Sequence, residues 1–276
     1  MYPAPLIRGY TAAMQNFRQR VTLDVEQGIA HVRLDRTDKR NALDLDMFLA
    51  IVDAQKAVAR RKDVRVVILS GNGADFSTGL DVKAVLKNRS NPLRLLWKTW
   101  PWNPNLAQKV SVGWRRLKVP VIAAIQGNCW GGGLQIALGA DFRMVHPQSS
   151  LSIMEGKWGL IPDMGGTLAL RELMPRDQAM RLAMTAELIS SAQALELGLV
   201  TTVCEDAMEA SKVLALALLD RSPDAVNAVK RLYRKSWQGS EASALARESL
   251  YQIKVMAGKN QRIAVQRQRG EDKPWD

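Results

Sequence analysis

The 276-residue chain is poor in the side chains that carry most metal and nucleophile chemistry: it has two histidines and two cysteines. Cys129 and Cys204 form neither a CxxC pair nor a Cys/His cluster with metal-ligand spacing, so no metal site is expected. They read as two reduced thiols of a cytoplasmic protein. His31 alternates with apolar neighbours in IAHVRL and reads as a strand residue, and His146, just before Pro147, reads as a loop residue. A mechanism built on a histidine base therefore has few candidates. No apolar run approaches the ~18 residues of a membrane span. The first residues, MYPAPLIRGYTAAMQNFRQR, lack the basic start, apolar stretch and small-residue cleavage site of a signal peptide, and read as a flexible leader over 1–19. There is no G-x-x-x-x-G-K-[ST] loop, no G-x-G-x-x-G opening a βαβ unit and no G-x-S-x-G elbow, which argues against a nucleotide loop and a serine hydrolase. No internal repeat or low-complexity tract is visible.

Acidic residues are also scarce: 27 Asp and Glu against 39 Lys and Arg leave a net charge of +12. Such a balance attracts nucleic acid, anionic membranes and phosphorylated small molecules alike. The basic residues are dispersed, densest over 254–273, and no aromatic RNA-recognition motif accompanies them, so nucleic acid is not the expected partner. What remains is an ordinary globular composition, 47% hydrophobic and 24% charged, in a chain long enough for one large core.

Periodicity predicts a hairpin over 21–26 and 29–35 around Gln27-Gly28, then a helix over 43–61 with Asn41 as its cap. VRVVILS (64–70) and VPVIAAI (119–125) are near-continuous apolar runs, as expected of strands buried on both faces, and 142–145 is a third strand. Strands alternating with helices imply an α/β core. Residues 89–105, RSNPLRLLWKTWPWNPN, break the pattern with three prolines and three tryptophans and read as an inserted loop or short helix, either a packing lid or a wall for an acyl group. After residue 201 the pattern is helical: 206–221, 223–237, 242–256 and 260–269. The resulting division is a core over 20–200 and a helical region over 201–276 serving as a second subdomain or oligomer interface.

Two segments repeat one design, a buried strand running into a small-residue turn and a helix start: VVILSGNGADFSTGLDVKAVL and VIAAIQGNCWGGGLQIALGADFR. The first N–H groups of a helix have no internal acceptor and lie at its positive end. Two of them facing one point make a hole for a developing oxyanion.

FSTGLD, IQGNCWGGGLQIALGADFR and EGKWGLIPDMGGT, in this order and spacing, resemble the enoyl-CoA hydratase/isomerase (crotonase) family. The likeness runs from LDRTDKRNAL near residue 40 to GKNQRIAV near residue 260. It implies a spiral of ββα units with a helical C-terminal region, trimers that pair into hexamers, and an acyl-coenzyme A thioester as substrate, with no separate cofactor. By that resemblance the oxyanion donors are the backbone N–H groups of Leu80 and Gly132, each contributing about 3–4 kcal/mol to the transition state. Lys39, Arg40, Ala42, Asp81, Val82 and Lys83 line the coenzyme A nucleotide. The family often carries two glutamates. One position is Glu155 here; the other is Gln135, an amide that cannot act as a base. Asp163 is either a turn residue or helix cap before Gly165, or a substitute acid if a second one is needed. One carboxylate suits double-bond migration, in which a single base removes and returns a proton; hydration remains open if Gln135 holds a water for Glu155. Hydrolase or decarboxylase chemistry on the same oxyanion hole, and a non-catalytic RNA- or ligand-binding homologue, are the alternatives.

Overall fold

The computed structural model describes residues 14–88 and 90–276. Strands β1 (Gln15–Phe17), β2 (Val21–Glu26) and β3 (Ile29–Leu34) form an antiparallel meander. The end of the segment read as a leader is thus an edge strand, with Gln15 opposite Leu23; the rest of that leader, residues 1–13, lies outside the described residues. Helix α1 (Leu45–Arg60) returns the chain to β4 (Val66–Gly71), which pairs parallel to β3. Its cap is Asp44, not Asn41: the Asp44 carboxylate accepts the Met47 N–H at 2.8 Å and also holds Arg20. Asn41 is spent inside the preceding loop.

Two short helices follow, α2 (Val82–Leu86) and α3 (Ser90–Leu96), then α4 (Leu106–Arg116), started by a reciprocal capping box between Asn105 and Gln108. The proline- and tryptophan-rich insertion is therefore α3 plus a turn. Next come β5 (Val121–Ile125), β6 (Asn128–Trp130), α5 (Gly132–Ala137), β7 (Phe142–Val145), β8 (Ser150–Ser152), α6 (Thr167–Leu173), α7 (Arg176–Thr185), β9 (Ile189–Ser190), α8 (Ser191–Glu196) and β10 (Thr202–Val203). The main sheet has the order β1-β2-β3-β4-β5-β7-β10, parallel from β3 onward. A small second sheet has the order β6-β8-β9.

The period of two explains why β4 and β5 are apolar throughout. Val67, Leu69, Val121, Ala123 and Ile125 face the large core that includes α1 and α4, while Val66, Ile68, Ile122 and Ala124 face a second cluster on the other side. That second cluster is closed by α9 (Ala207–Leu219) through Ala207 and Ala215. The division expected at residue 200 therefore shifts: β10 completes the main sheet and α9 covers it, because the far face of β4 and β5 would otherwise meet water. Only α10 (Pro223–Ser236), α11 (Glu241–Met256) and α12 (Lys259–Gln268) form a separate helical layer.

Lys230 fastens α10 to the core. Its ammonium is buried, 2.7 Å from the Asp141 carboxylate, and donates to the Val119 carbonyl at 2.8 Å and the Trp114 carbonyl at 3.3 Å. Burial pushes its pKa down, against the pull of Asp141. Removing the donor orphans two carbonyls and weakens a partly buried carboxylate's pairing. Lys230→Ala is expected to lower unfolding stability by about 2–3 kcal/mol, measured by denaturant titration.

Candidate active site

The two small-residue corners meet because the run after β4 lies parallel to β6. Ser77 pairs with Cys129: the Ser77 N–H donates to the Asn128 carbonyl at 3.0 Å, and the Trp130 N–H donates to the Ser77 carbonyl at 3.0 Å. Three residues beyond this bridge on the two runs stand Leu80 and Gly132. Gly79, at φ +84°, passes directly over the second corner. A Cβ there would lie 2.7 Å from the Trp130 carbonyl oxygen and 3.3 Å from the Gly132 nitrogen. Only glycine permits both the approach and the left-handed backbone.

The loop before α1 holds the first corner in place. Asn41, fully buried at φ +55°, accepts the Arg36 N–H at 2.8 Å and donates to the Asn72 and Asp75 carbonyls at 2.9 Å each. Leu43 and Leu80 form an isolated parallel bridge in which the Leu43 N–H donates to Gly79 and the Leu43 carbonyl accepts from Asp81. In that register Leu80's own N–H points away from Leu43. Among the described residues it has no hydrogen-bond acceptor. Gly132 is the first residue of α5, so its N–H has no acceptor within the helix.

Glu155 lies in a 3-10 turn, Met154–Trp158, after β8. Its carboxylate comes to the second corner: a Cβ on Gly131 would sit 3.6 Å from Oε1. Gln135, 1% exposed, points the same way from α5. Its Oε1 accepts the Met164 N–H at 2.9 Å and the Gly166 N–H at 3.2 Å, which fixes the orientation of the amide. Its Nε2 then donates to Glu155 Oε1 at 2.6 Å. Glu155 Oε2 is buried and, among the described residues, without a partner. Burial raises the Glu155 pKa, the Gln135 hydrogen bond pulls it partly back, and the nearby Asp163 charge raises it further. Asp163 is half-buried, and its own pKa is raised by burial. It does not cap α6, whose first turn starts at Gly166 without a side-chain cap.

Beside the first corner lies a groove of about 530 Å³ lined by Lys39, Ala42, Leu80, Asp81, Val82, Lys83, Ala84, Lys87 and Trp158. Five of the six residues expected to line a nucleotide are there. Arg40 is not: its guanidinium pairs with Asp75 at 2.7 Å and stacks over Trp130. Asp81 lines the groove, but its carboxylate is engaged by Arg36 at 2.9 Å and by the Ala84 N–H at the start of α2. Sequence reasoning missed Lys87 and Trp158. Trp158 follows Glu155 by three residues, the spacing that eclipses side chains in a 3-10 turn, and that signal was available. His31 is a buried strand residue whose pKa burial lowers, and burial pushes the Cys129 thiol far up.

Known proteins resemble this chain over most of its length. The sequence profile described as enoyl-CoA hydratase/isomerase matches residues 24–271. An enoyl-CoA hydratase of Mycobacterium tuberculosis is 33% identical over 226 residues, 81% of this chain and 84% of that one. A carnitinyl-CoA dehydratase of Salmonella typhi is 32% identical over 75% of this chain and 77% of its own. A solved structure, a putative enoyl-CoA hydratase from Streptomyces coelicolor, superposes with a TM-score of 0.84 at 26% identity and covers 99% of both chains.

Two outcomes follow from the Gln135–Glu155 contact. Gln135→Met removes the hydrogen bond that favours the carboxylate, so the acid limb of kcat/KM should move to higher pH, measured as a pH–rate profile on the folded variant. Because the folded-state pKa of Glu155 is raised, the unfolded chain loses this proton first as pH rises, and stability falls through that window. Glu155→Gln should therefore match the parent below the window and exceed it at neutral pH in thermal melts.

Proposed function

The chain belongs to the enoyl-CoA hydratase/isomerase family, and from that premise we propose that it shifts the double bond of an enoyl-CoA, with Glu155 as its single acid–base group. The observation that carries this reading is the asymmetry of the Glu155 carboxylate: Oε1 is held by Gln135, while Oε2 is buried and has no partner among the described residues. Oε2 takes a proton from C2 of a β,γ-unsaturated thioester. The electron pair moves into the thioester carbonyl, whose oxygen receives the Leu80 and Gly132 N–H groups. The protonated Oε2 returns the proton at C4, and the double bond ends between C2 and C3. A raised pKa suits a group that must both accept and donate near neutral pH. Gln135, with its oxygen committed to two backbone N–H groups, positions the base and takes no proton itself.

Hydration is the second reading. It is favoured by Asp163, close enough to push up the Glu155 pKa, and by relatives named for adding or removing water. In that case Asp163 is the added acid. Hydrolysis or decarboxylation of an acyl-CoA uses the same oxyanion hole, and no contact at the site favours either.

The groove supports coenzyme A as the carrier. Lys39, Lys83 and Lys87 supply cations for its phosphates, Ala42 and Val82 an apolar slot, and Trp158 a flat wall. Asp81 shapes the groove by holding Arg36 and the start of α2. We further propose that copies of the chain associate as a trimer, or a pair of trimers, through the helical layer. Val229 and Tyr233 on α10, Trp237 at its C-cap, and Ile253 and Met256 on α11 are exposed at helical spacing. A cytoplasmic location is part of the same reading, supported by the two unpaired thiols.

Incubation with a panel of enoyl-CoA thioesters in heavy water, read by mass spectrometry, separates the reactions. Deuterium at C2 or C4 with a displaced double bond supports isomerisation; gain of the mass of water supports hydration. Glu155→Gln should lower kcat by about 10²–10⁴-fold while substrate still binds, and full turnover in that variant would remove Glu155 from the mechanism.

A further inference from the structure

We propose that the face formed by α3 and the turn after it docks on an anionic lipid surface. The two sides of α3 differ in what they serve. Leu95 and Asn91 face inward and are buried, with Asn91 Nδ2 donating to the Val85 carbonyl at 3.2 Å. Leu93, Leu96 and Trp97, also at helical spacing, face outward and are 70%, 53% and 74% exposed. Trp100 and Trp102 in the following turn are 68% and 89% exposed, and Leu86 at the end of α2 adds a sixth large apolar side chain. The turn is held, not loose. The Trp97 N–H donates to Leu93, the Asn103 N–H donates to Trp100, and Asn105 caps α4 while its side chain reaches the Leu96 carbonyl. Six large apolar side chains are thus kept in water within one short stretch of chain, far more than the scattered single apolar residues of an ordinary surface.

Charge says which occupant fits. Between Asp81 and Asp141 the sequence has no aspartate or glutamate. Lys83, Lys87, Arg94 and Lys98 are exposed within the same stretch. Tryptophan and leucine flanked by lysine and arginine, with no acidic residue between, is the composition of a segment that sinks its rings to headgroup level and sets its cations against lipid phosphates. Lys83 and Lys87 also line the groove beside Leu80, so a docked chain would open that groove toward the headgroup layer. The docking itself does not rest on the acyl-CoA reading.

Co-sedimentation of the full chain with vesicles of phosphatidylcholine, with and without phosphatidylglycerol, tests it. Binding is expected to the anionic vesicles, weakening as salt is raised, and little binding to the neutral ones. Neutralising Arg94 or Lys98 with glutamine should weaken binding about fivefold per charge. The triple change Trp97→Ser, Trp100→Ser, Trp102→Ser should weaken it at least about tenfold. No sedimentation with anionic vesicles overturns the proposal, as does unchanged binding by the triple variant. A triple variant that falls to a smaller oligomer in velocity sedimentation also overturns it, because the face would then be a contact between copies of the chain.

Discussion

Ser77 donates to Asn128 and accepts from Trp130, and through these two hydrogen bonds the run after β4 lies in parallel register with β6. The meeting of the two corners depends on that register. It carries Leu80 and Gly132 to matching positions, and it brings Gly79 so close to the second corner that a single methyl would strike the Trp130 carbonyl. The pairing is short, one bridge outside any long strand, so its geometry is imposed from both sides. Asn41 ties the first corner to the loop before α1, and the second sheet ties the second corner to the segment that bears Glu155. The missing side chain of Gly79 is what lets the two corners pack this closely.

Gln135 and Glu155 show how one substitution of amide for carboxylate reorganises a site. An ionised carboxylate at position 135 would place a second negative charge against Glu155, and it would still accept from Met164 and Gly166. The amide accepts from both and has a donor left over, which it turns on Glu155 Oε1. One glutamate oxygen is thereby immobilised, and the other is buried without a partner among the described residues. A buried acceptor without a donor is unfavourable, and each such group calls for an explanation.

The net charge of +12 is distributed to several purposes. Lys230 is consumed inside, holding α10 to Asp141 and two carbonyls, and Arg143 is buried against the Leu199 and Ala140 carbonyls with its pKa lowered by burial to about 10. Lys39, Lys83 and Lys87 stand at the groove. The acid-free stretch around α3 leaves its cations beside exposed tryptophans. Dispersion along the sequence conceals this sorting, because residues of one surface come from distant segments.

Much of this protein was determined by its sequence alone. The doubly apolar runs at β4 and β5 required a sheet covered on both faces, and the helical spacing after residue 201 required a helical end. FSTGLD and WGGGL, with EGKWGLIPDMGGT, carry the resemblance that singles out Leu80, Gly132 and Glu155 as candidates. The α/β fold and the family followed from those motifs. Tertiary structure decided what local pattern cannot encode. Asp44, not Asn41, caps α1, because Asn41 is drawn into bonds with residues more than thirty positions away. Helix α9 belongs to the core, because only the folded sheet reveals an uncovered face. Arg40 is diverted from the groove by Asp75, and Asp163 is released from capping. Periodicity and motif report the chain's nearest neighbours in sequence. Hydrogen-bond partners and burial are set by neighbours in space, and these exist only once the sheet has closed around them.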